Sequence, residues 1–307
     1  MLSREIKKIL KKSKIMREIG WWAEINILSQ VQRAKDIADA NREFERRRKG
    51  KEPCTNDKKL IELKDAQKGK ACIIVGNGPS LQIGDLEKIQ KLGIHSFGLN
   101  KINQLYSKTS WRPTYLVVHD HRFILSGEST IDVNEYVKSV QDEKTKYVFF
   151  RRQMKKCFNQ NLNKKILYFR MPLKNCKQID PTPIKGDISI QLEDLGSVTT
   201  AAMEIAMYMG YKTIYLYGQD FKYDRYIDID GNYVEAEGAG DYAEGIGAYS
   251  EDYKKEYHDL RKTFRGFREC DKYAREHGVR IYNATRGGNL NLFDRVNFDE
   301  IIIDVKQ

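Results

Sequence analysis

Short apolar runs separated by longer amphipathic stretches mark the chain from residue 70 onward. The first, Ala71-Cys72-Ile73-Ile74-Val75, ends in Gly76-Asn77-Gly78-Pro79-Ser80, and a helical pattern starts at Asp85-Leu86-Glu87-Lys88-Ile89. This reads as a strand, a tight turn and a helix. Runs at 94–98, 115–118, 146–150, 166–169, 213–217 and 279–282 read as further strands, with helices at 197–209 and 251–277. Such alternation predicts an α/β fold: a mostly parallel sheet with helices on both faces. Ligands of these sheets bind beyond the carboxyl ends of the strands, so chemistry is to be sought in the turns that follow them.

Before residue 70 the pattern differs. Leu2, Ile6, Ile9, Leu10 and Met16 recur at helical spacing, while Lys7, Lys8, Lys11, Lys12 and Lys14 fall mainly on the other side. Residues 1–51 hold 15 Lys and Arg against 7 Asp and Glu, so +8 of the net +11 sits in this extension. A basic amphipathic helix followed by Trp21 and Trp22 suits an anionic membrane surface, reached through residues 1–50. The plain alternative is a helix packed on the domain or on another copy. The run Arg46-Arg47-Arg48-Lys49-Gly50-Lys51, followed by Glu52-Pro53, reads as a linker. The expected organisation is a basic helical extension over 1–68 and a catalytic domain over 69–307.

Composition narrows the classes. With 307 residues, 40% apolar and 6 prolines, the chain is neither collagenous nor wholly disordered. No run of about 18 uncharged apolar residues is present, so no spanning helix is expected, and the amino terminus lacks a secretory h-region. Five widely spaced cysteines (54, 72, 157, 176, 270) without a C-x-x-C point to reduced thiols in a cytoplasm and to no metal site. Beyond the extension no basic patch or nucleic-acid motif appears, so no nucleic-acid partner is expected.

The turns after the strands supply candidates. Glycines allow close backbone approach, and free amides at a following helix start attract phosphate. Gly76, Asn77, Gly78 and Ser80 follow the first strand, Asn100 the second, His119-Asp120-His121 the third, and Gly218-Gln219-Asp220 the strand at 213–217. Leu81 breaks G-x-G-x-x-G, and no P-loop is present, so an ordinary NAD fold and a P-loop NTPase both lose ground. Ser197 and Thr199 open the helix at Ala201–Met209; their hydroxyls either cap it or hold a phosphate.

At this point the residues carry a resemblance. GNGPSL at 76–81, the run from Ala202 through Gly218-Gln219-Asp220-Phe221, and Ile281-Tyr282-Asn283-Ala284-Thr285 resemble the bacterial sialyltransferases of glycosyltransferase family 42. They look closer still to a related group described as 6-hydroxymethylpterin diphosphokinase-like; motility-accessory flagellin glycosyltransferases share the same core. The resemblance spans about residues 70–300. It implies a variant Rossmann (GT-A-like) fold and an inverting, metal-independent displacement on a CMP-activated acidic sugar. The partners implied are a nucleotide-sugar donor and a surface glycan or glycoprotein acceptor, with a homo-oligomer suggested by related enzymes. Gly76, Asn77, Gly78 and Ser80 would meet the nucleotide and its phosphate, and Asn100 matches a family asparagine. Asp120 stands where those sialyltransferases have another asparagine, a departure that bears on donor identity.

Such chemistry needs a base for the acceptor hydroxyl and donors for the departing phosphate. His258, near the family spacing before the last strand, is the base candidate. Tyr223 and Tyr226 lie beside, not at, the places of the family's leaving-group tyrosines, where Lys222 takes the first position. The Gly-, Asp- and Tyr-rich stretch at about 222–257 reads as a mobile lid. No cofactor is expected on this reading. The rival is pyrophosphoryl transfer from ATP to a hydroxymethyl pterin, which requires Mg²⁺ on carboxylates such as Asp120 and Asp220. A third reading is a non-catalytic nucleotide-sugar binding protein.

Overall fold

The structure, a computed structural model, describes residues 29–119, 133–157, 165–172, 180–236, 242–247 and 258–304. The expected helix within 1–28 and Asp120 lie outside the described residues.

Helix α1 (Ser29–Arg48) docks through polar side chains rather than an apolar stripe. Arg47 bonds Glu43 and the Ser189 hydroxyl and lies 3.5 Å from Asp57, while Asp39 receives a bond from Arg170. Arg46, Arg47 and Arg48 therefore form its last turn, not a linker. The stop is Gly50 at φ +71, a left-handed cap that lets Lys51 N–H reach the Arg46 carbonyl at 3.0 Å.

Helix α2 (Thr55–Glu62) belongs to the sheet's own packing, because Leu60 and Leu63 lie in the same core as β1 (Ala71–Val75). There follow α3 (Ile83–Leu92), β2 (Ser96–Leu99), a 3₁₀ segment (Asn100–Ser107), β3 (Tyr115–Val118), α4 (Val133–Val140), β4 (Tyr147–Arg151) and β5 (Ile166–Phe169). Helix α5 (Val198–Tyr208) then leads to β6 (Thr213–Tyr217). Beyond it come β7 (Arg225–Ile227), β8 (Tyr233–Glu235), β9 (His258–Asp259), α6 (Leu260–Glu276), β10 (Arg280–Asn283), β11 (Asp294–Arg295) and α7 (Phe298–Asp304).

Eight strands form one sheet in the order β11-β10-β6-β1-β2-β3-β4-β5, every pair parallel. Side chains alternate across it as a strand demands. Cys72 and Ile74 join the core beneath α5 and α6, while Ile73 and Val75 join the one beneath α3, α4 and α7. Helix α5 is buried from Thr199 to Tyr208, which explains an apolar run with no polar face. The α/β fold with helices on both faces is thus the predicted one.

At the sheet's β5 edge, the Asn56 amide pairs with Tyr168 as a strand would: Nδ2 donates to the Tyr168 carbonyl at 2.9 Å, and Oδ1 accepts from its N–H at 2.8 Å. Arg170, just past β5, pairs with the fully buried Asp57 at 2.7 Å. Burial opposes charge on Asp57, but hydrogen bonds from Arg170 and Asn56 outweigh it and hold the carboxyl below its usual range.

The stretch expected as a lid holds more order than its sequence suggests. β7 and β8 form an antiparallel hairpin, and β9 pairs parallel with β7, giving a second, three-stranded sheet. The hairpin turn is set by Asp228, whose carboxylate accepts from the N–H groups of Asp230 and Asn232.

Candidate functional site

The strand order reverses between β1 and β6. From β1 the chain lays down β2 to β5 on one side, then returns to place β6 on the other. A crevice at the carboxyl ends of two such strands is the binding place in open α/β sheets. Both turns predicted from sequence meet there.

They cross so closely that side chains have no room at two positions. A Cβ on Gly76 would lie 2.2 Å from Gln219 Nε2 and 2.4 Å from the Gly218 carbonyl; one on Gly78 would lie 2.0 Å from Asp220 Oδ2. The glycines of the first turn thus admit the second turn. Its amides are used in the same way: Gly76 N–H donates to Tyr217 O at 2.7 Å, Gly78 N–H to Gly218 O at 3.0 Å, and Leu81 N–H to Gly78 O at 3.0 Å. Asp220 Oδ2 takes both the Ser80 hydroxyl at 2.7 Å and the Ser80 N–H at 3.3 Å.

Two amide side chains at this crossing are oriented by one end only. Asn77 Nδ2 donates to the Leu99 carbonyl at 3.0 Å, and its Oδ1 is buried with no hydrogen-bond partner among the described residues. Gln219 Oε1 accepts from the Thr199 hydroxyl at 2.8 Å, and its Nε2 is likewise buried and unpaired. Ser197 caps α5, its Oγ accepting from Thr199 N–H at 3.2 Å. Both hydroxyls at that helix start are therefore engaged within the protein.

The ends of β2 to β4 carry a second group. Asn100 sits at φ +43, sparsely populated for a side-chain-bearing residue, with its Oδ1 accepting from His119 N–H at 3.1 Å. His119 Nε2 lies 3.6 Å from Asp194 Oδ1, and Arg151, at the end of β4, lies 3.7 Å from Oδ2 of the same carboxylate. Burial opposes charge on Asp194, but His119, Arg151 and the Gly196 N–H outweigh it and keep the carboxyl well below its usual range.

Beyond β6 the chain passes Asp220 and Phe221, the latter at φ +51, and reaches Tyr223. The Tyr223 ring stacks on His258 with centroids 4.1 Å apart, and Tyr226 stands opposite His258 in the β7–β9 register. His258 is exposed and begins the two-residue β9 rather than a helix. Across the opening, Ala243 N–H donates to the Asn77 carbonyl at 2.8 Å, and the nearly buried Lys101 donates to the Gly247 carbonyl at 3.2 Å. The 242–247 segment thus rests over the ends of β1 and β2.

The structure brings Gly76, Asn77, Gly78, Ser80, Thr199, Gly218 and Asp220 together at one crossing, with Ser197 behind it. Tyr223, Tyr226 and His258 form a separate group next along the chain, Asn100 belongs to the His119–Asp194 group, and Asp120 is not among the described residues. Sequence reasoning passed over Gln219, Asp194 and Arg151. Gln219 stood inside a turn already singled out, but only the placement of Thr199 beside it reveals that its amide is held.

These features define an α/β protein whose parallel sheet changes direction of strand order between β1 and β6, with the two glycine-containing turns crossing there. The profile of the family described as 6-hydroxymethylpterin diphosphokinase MptE-like matches residues 51–225, and the chain belongs to that family. Among solved structures it is similar to the MAf glycosyltransferase from Magnetospirillum magneticum AMB-1, at 16% identity and a TM-score of 0.45, over 77% of this chain and 35% of that one. The chain therefore spans about a third of that protein's length. No curated protein matches it.

Proposed function

We propose that the protein is a glycosyltransferase that draws a sugar, of the CMP-activated sialic-acid-like class, from a nucleotide donor held at the β1–β6 crossing and passes it to a glycan or glycoprotein acceptor. His258 takes the proton from the acceptor hydroxyl, and Tyr223 and Tyr226 donate hydrogen bonds to the departing phosphate. One observation carries the reading: a histidine and two tyrosines come together just past the end of β6, with the His258 and Tyr223 rings 4.1 Å apart and Tyr226 opposite His258 in register. An exposed imidazole beside two phenols is equipped for proton transfer and leaving-group support without a metal.

Ligand binding to the folded state raises the melting temperature by an amount set by affinity, so thermal shifts with CMP, CDP, UDP, GDP and ATP, each with and without Mg²⁺, test it. A cytidine nucleotide that stabilises without metal supports the reading. Selective stabilisation by Mg²⁺ and ATP refutes it in favour of the second reading, diphosphoryl transfer, which the family match over 51–225 supports. In that case one or two protein carboxylates would hold Mg²⁺, which would supply neutralisation of the phosphate charge. Asp220 fits as one, since no described residue hydrogen-bonds its Oδ1.

The basic segment before α1 is proposed to hold the enzyme at the cytoplasmic face of a membrane by charge. Among the described residues no helix is long and apolar enough to cross one. Removal of residues 1–28 should release the protein from anionic vesicles; unchanged binding would refute the role.

A further inference from the structure

The first turn has the glycines of a phosphate cradle, yet its chemistry is opposed to phosphate. Such a cradle offers several free N–H groups to an anion. Here the N–H groups of Gly76, Gly78, Ser80 and Leu81 are taken by protein acceptors, and only that of Asn77 has none among the described residues. One of those acceptors is itself an anion: the Asp220 carboxylate, only 8% exposed, fills the concavity below Ser80 and excludes even a Cβ at Gly78. A phosphate set on this turn would meet a buried like charge and, from the turn's own backbone, one free donor in place of a cradle's several.

What the crossing does offer is a mixed set. Asn77 Oδ1 is an acceptor, fixed in that role by the bond from Nδ2 to a carbonyl, and Gln219 Nε2 is a donor while its Oε1 accepts from the Thr199 hydroxyl. Asp220 Oδ1 adds a second acceptor, bonded by no described residue. Buried polar atoms left unpaired cost free energy, and they persist where a ligand completes them. A phosphate ester gives acceptors only; it satisfies Gln219 and leaves Asn77 and Asp220 facing lone pairs. A hydroxyl both donates and accepts, and a vicinal diol presents two such groups to a carboxylate and an amide at once.

We propose that the β1–β6 crossing holds the uncharged end of the donor, the ribose diol of a nucleoside, through Asn77, Gln219 and Asp220, and that the phosphate lies away from the first turn. Gln219 becomes a binding residue, and Asp220 discriminates against bare phosphate. The proposal rests on the nucleotide reading above and goes further by fixing which end of the nucleotide enters the crossing.

The test is calorimetric titration of the full chain with cytidine, uridine, adenosine and guanosine, their monophosphates, ribose and inorganic pyrophosphate. At least one nucleoside should bind within about tenfold of its monophosphate, and pyrophosphate should not compete with it. Free ribose should bind more weakly at the same place and be displaced by the nucleoside. Gln219→Glu keeps the shape and the Thr199 contact but removes the donor, and should weaken the nucleoside by about tenfold or more. Asp220→Asn should weaken the nucleoside and, with the like charge gone, let pyrophosphate bind more tightly than it does to the parent. Should either variant fail to fold, competition on the unaltered protein decides the matter. Pyrophosphate displacing the nucleoside from the parent protein, or a nucleoside affinity unchanged by Asp220→Asn, overturns the proposal while leaving the nucleotide reading intact. An absence of binding by every nucleoside and nucleotide overturns both.

Discussion

Alanine at Gly78 is the sharpest test of how closely the two turns cross. Its Cβ would stand 2.0 Å from Asp220 Oδ2 and 2.8 Å from the Gly218 carbonyl, where ordinary contact begins at 3.4 Å. The carboxylate must retreat, and the 2.7 Å bond from the Ser80 hydroxyl is lost with it. Overpacking costs about 1–3 kcal/mol, and a hydrogen bond to a charged group contributes about 1.5–3 kcal/mol. Since the two losses share one movement, about 3 kcal/mol is expected, or roughly 5–10 °C in Tm for a domain of this size. Gly84, the second residue of α3, is the matched control, because nothing lies within 4 Å of its Cβ position. Alanine there should stabilise by about 0.5–1 kcal/mol through helix propensity and a less flexible unfolded chain. Guanidinium unfolding followed by circular dichroism, with m unchanged between variants, gives both values. Shifts of the same sign, or Gly78→Ala within about 0.5 kcal/mol of the parent, would refute the close crossing.

Two further outcomes are expected. His258→Ala should lower the rate of sugar transfer by about 100-fold or more with a small change in donor affinity; a rate near that of the parent moves the base elsewhere. Glu204, on α5, is fully buried, and burial drives its carboxyl well above the ordinary 4.5 although Glu193 N–H donates to it. The folded state then keeps a proton that the unfolded chain has lost, so stability falls by about 1.4 kcal/mol per pH unit as pH rises above the unfolded value, until the folded carboxyl ionises. Glu204→Gln should remove that slope, matching the parent near pH 4 and exceeding it at pH 8. Parallel stability curves across that range would show that Glu204 ionises normally.

The sheet was legible because burial on both faces leaves the strands few polar positions, mostly at their ends. Ala71–Val75 and Thr213–Tyr217 coincide with the runs read from sequence, and β2, β4 and β10 lie within one or two residues of theirs. The short strands β7, β8, β9 and β11 were not legible, since two or three residues cannot display a period and their pairing is set by partners far along the chain. The basic run at 46–51 misled for a related reason: Arg46–Arg48 are helical because Arg47 finds Glu43, Ser189 and Asp57, contacts that no local pattern announces. At the site, strand ends pointed to Gly76–Ser80 and Gly218–Asp220, and the structure brings these two turns into contact. What the glycines accommodate was not readable, because the close approach of protein to protein and of protein to phosphate calls for the same residue.

An exposed strand invites a stranger's backbone, and long parallel sheets are exposed to this hazard at their rims. Here the amide of Asn56 occupies Tyr168 on both its N–H and its carbonyl, and the next outward carbonyl, that of Arg170, is taken by Leu192 N–H at 2.8 Å. At the opposite rim β11 is two residues long and carries exposed Asp294 and Arg295. At Tyr168 a single uncharged side chain thus takes the place that a ninth strand would have. Lengthening the sheet at β5 by a further strand would first require Asn56 to be pulled away from Tyr168.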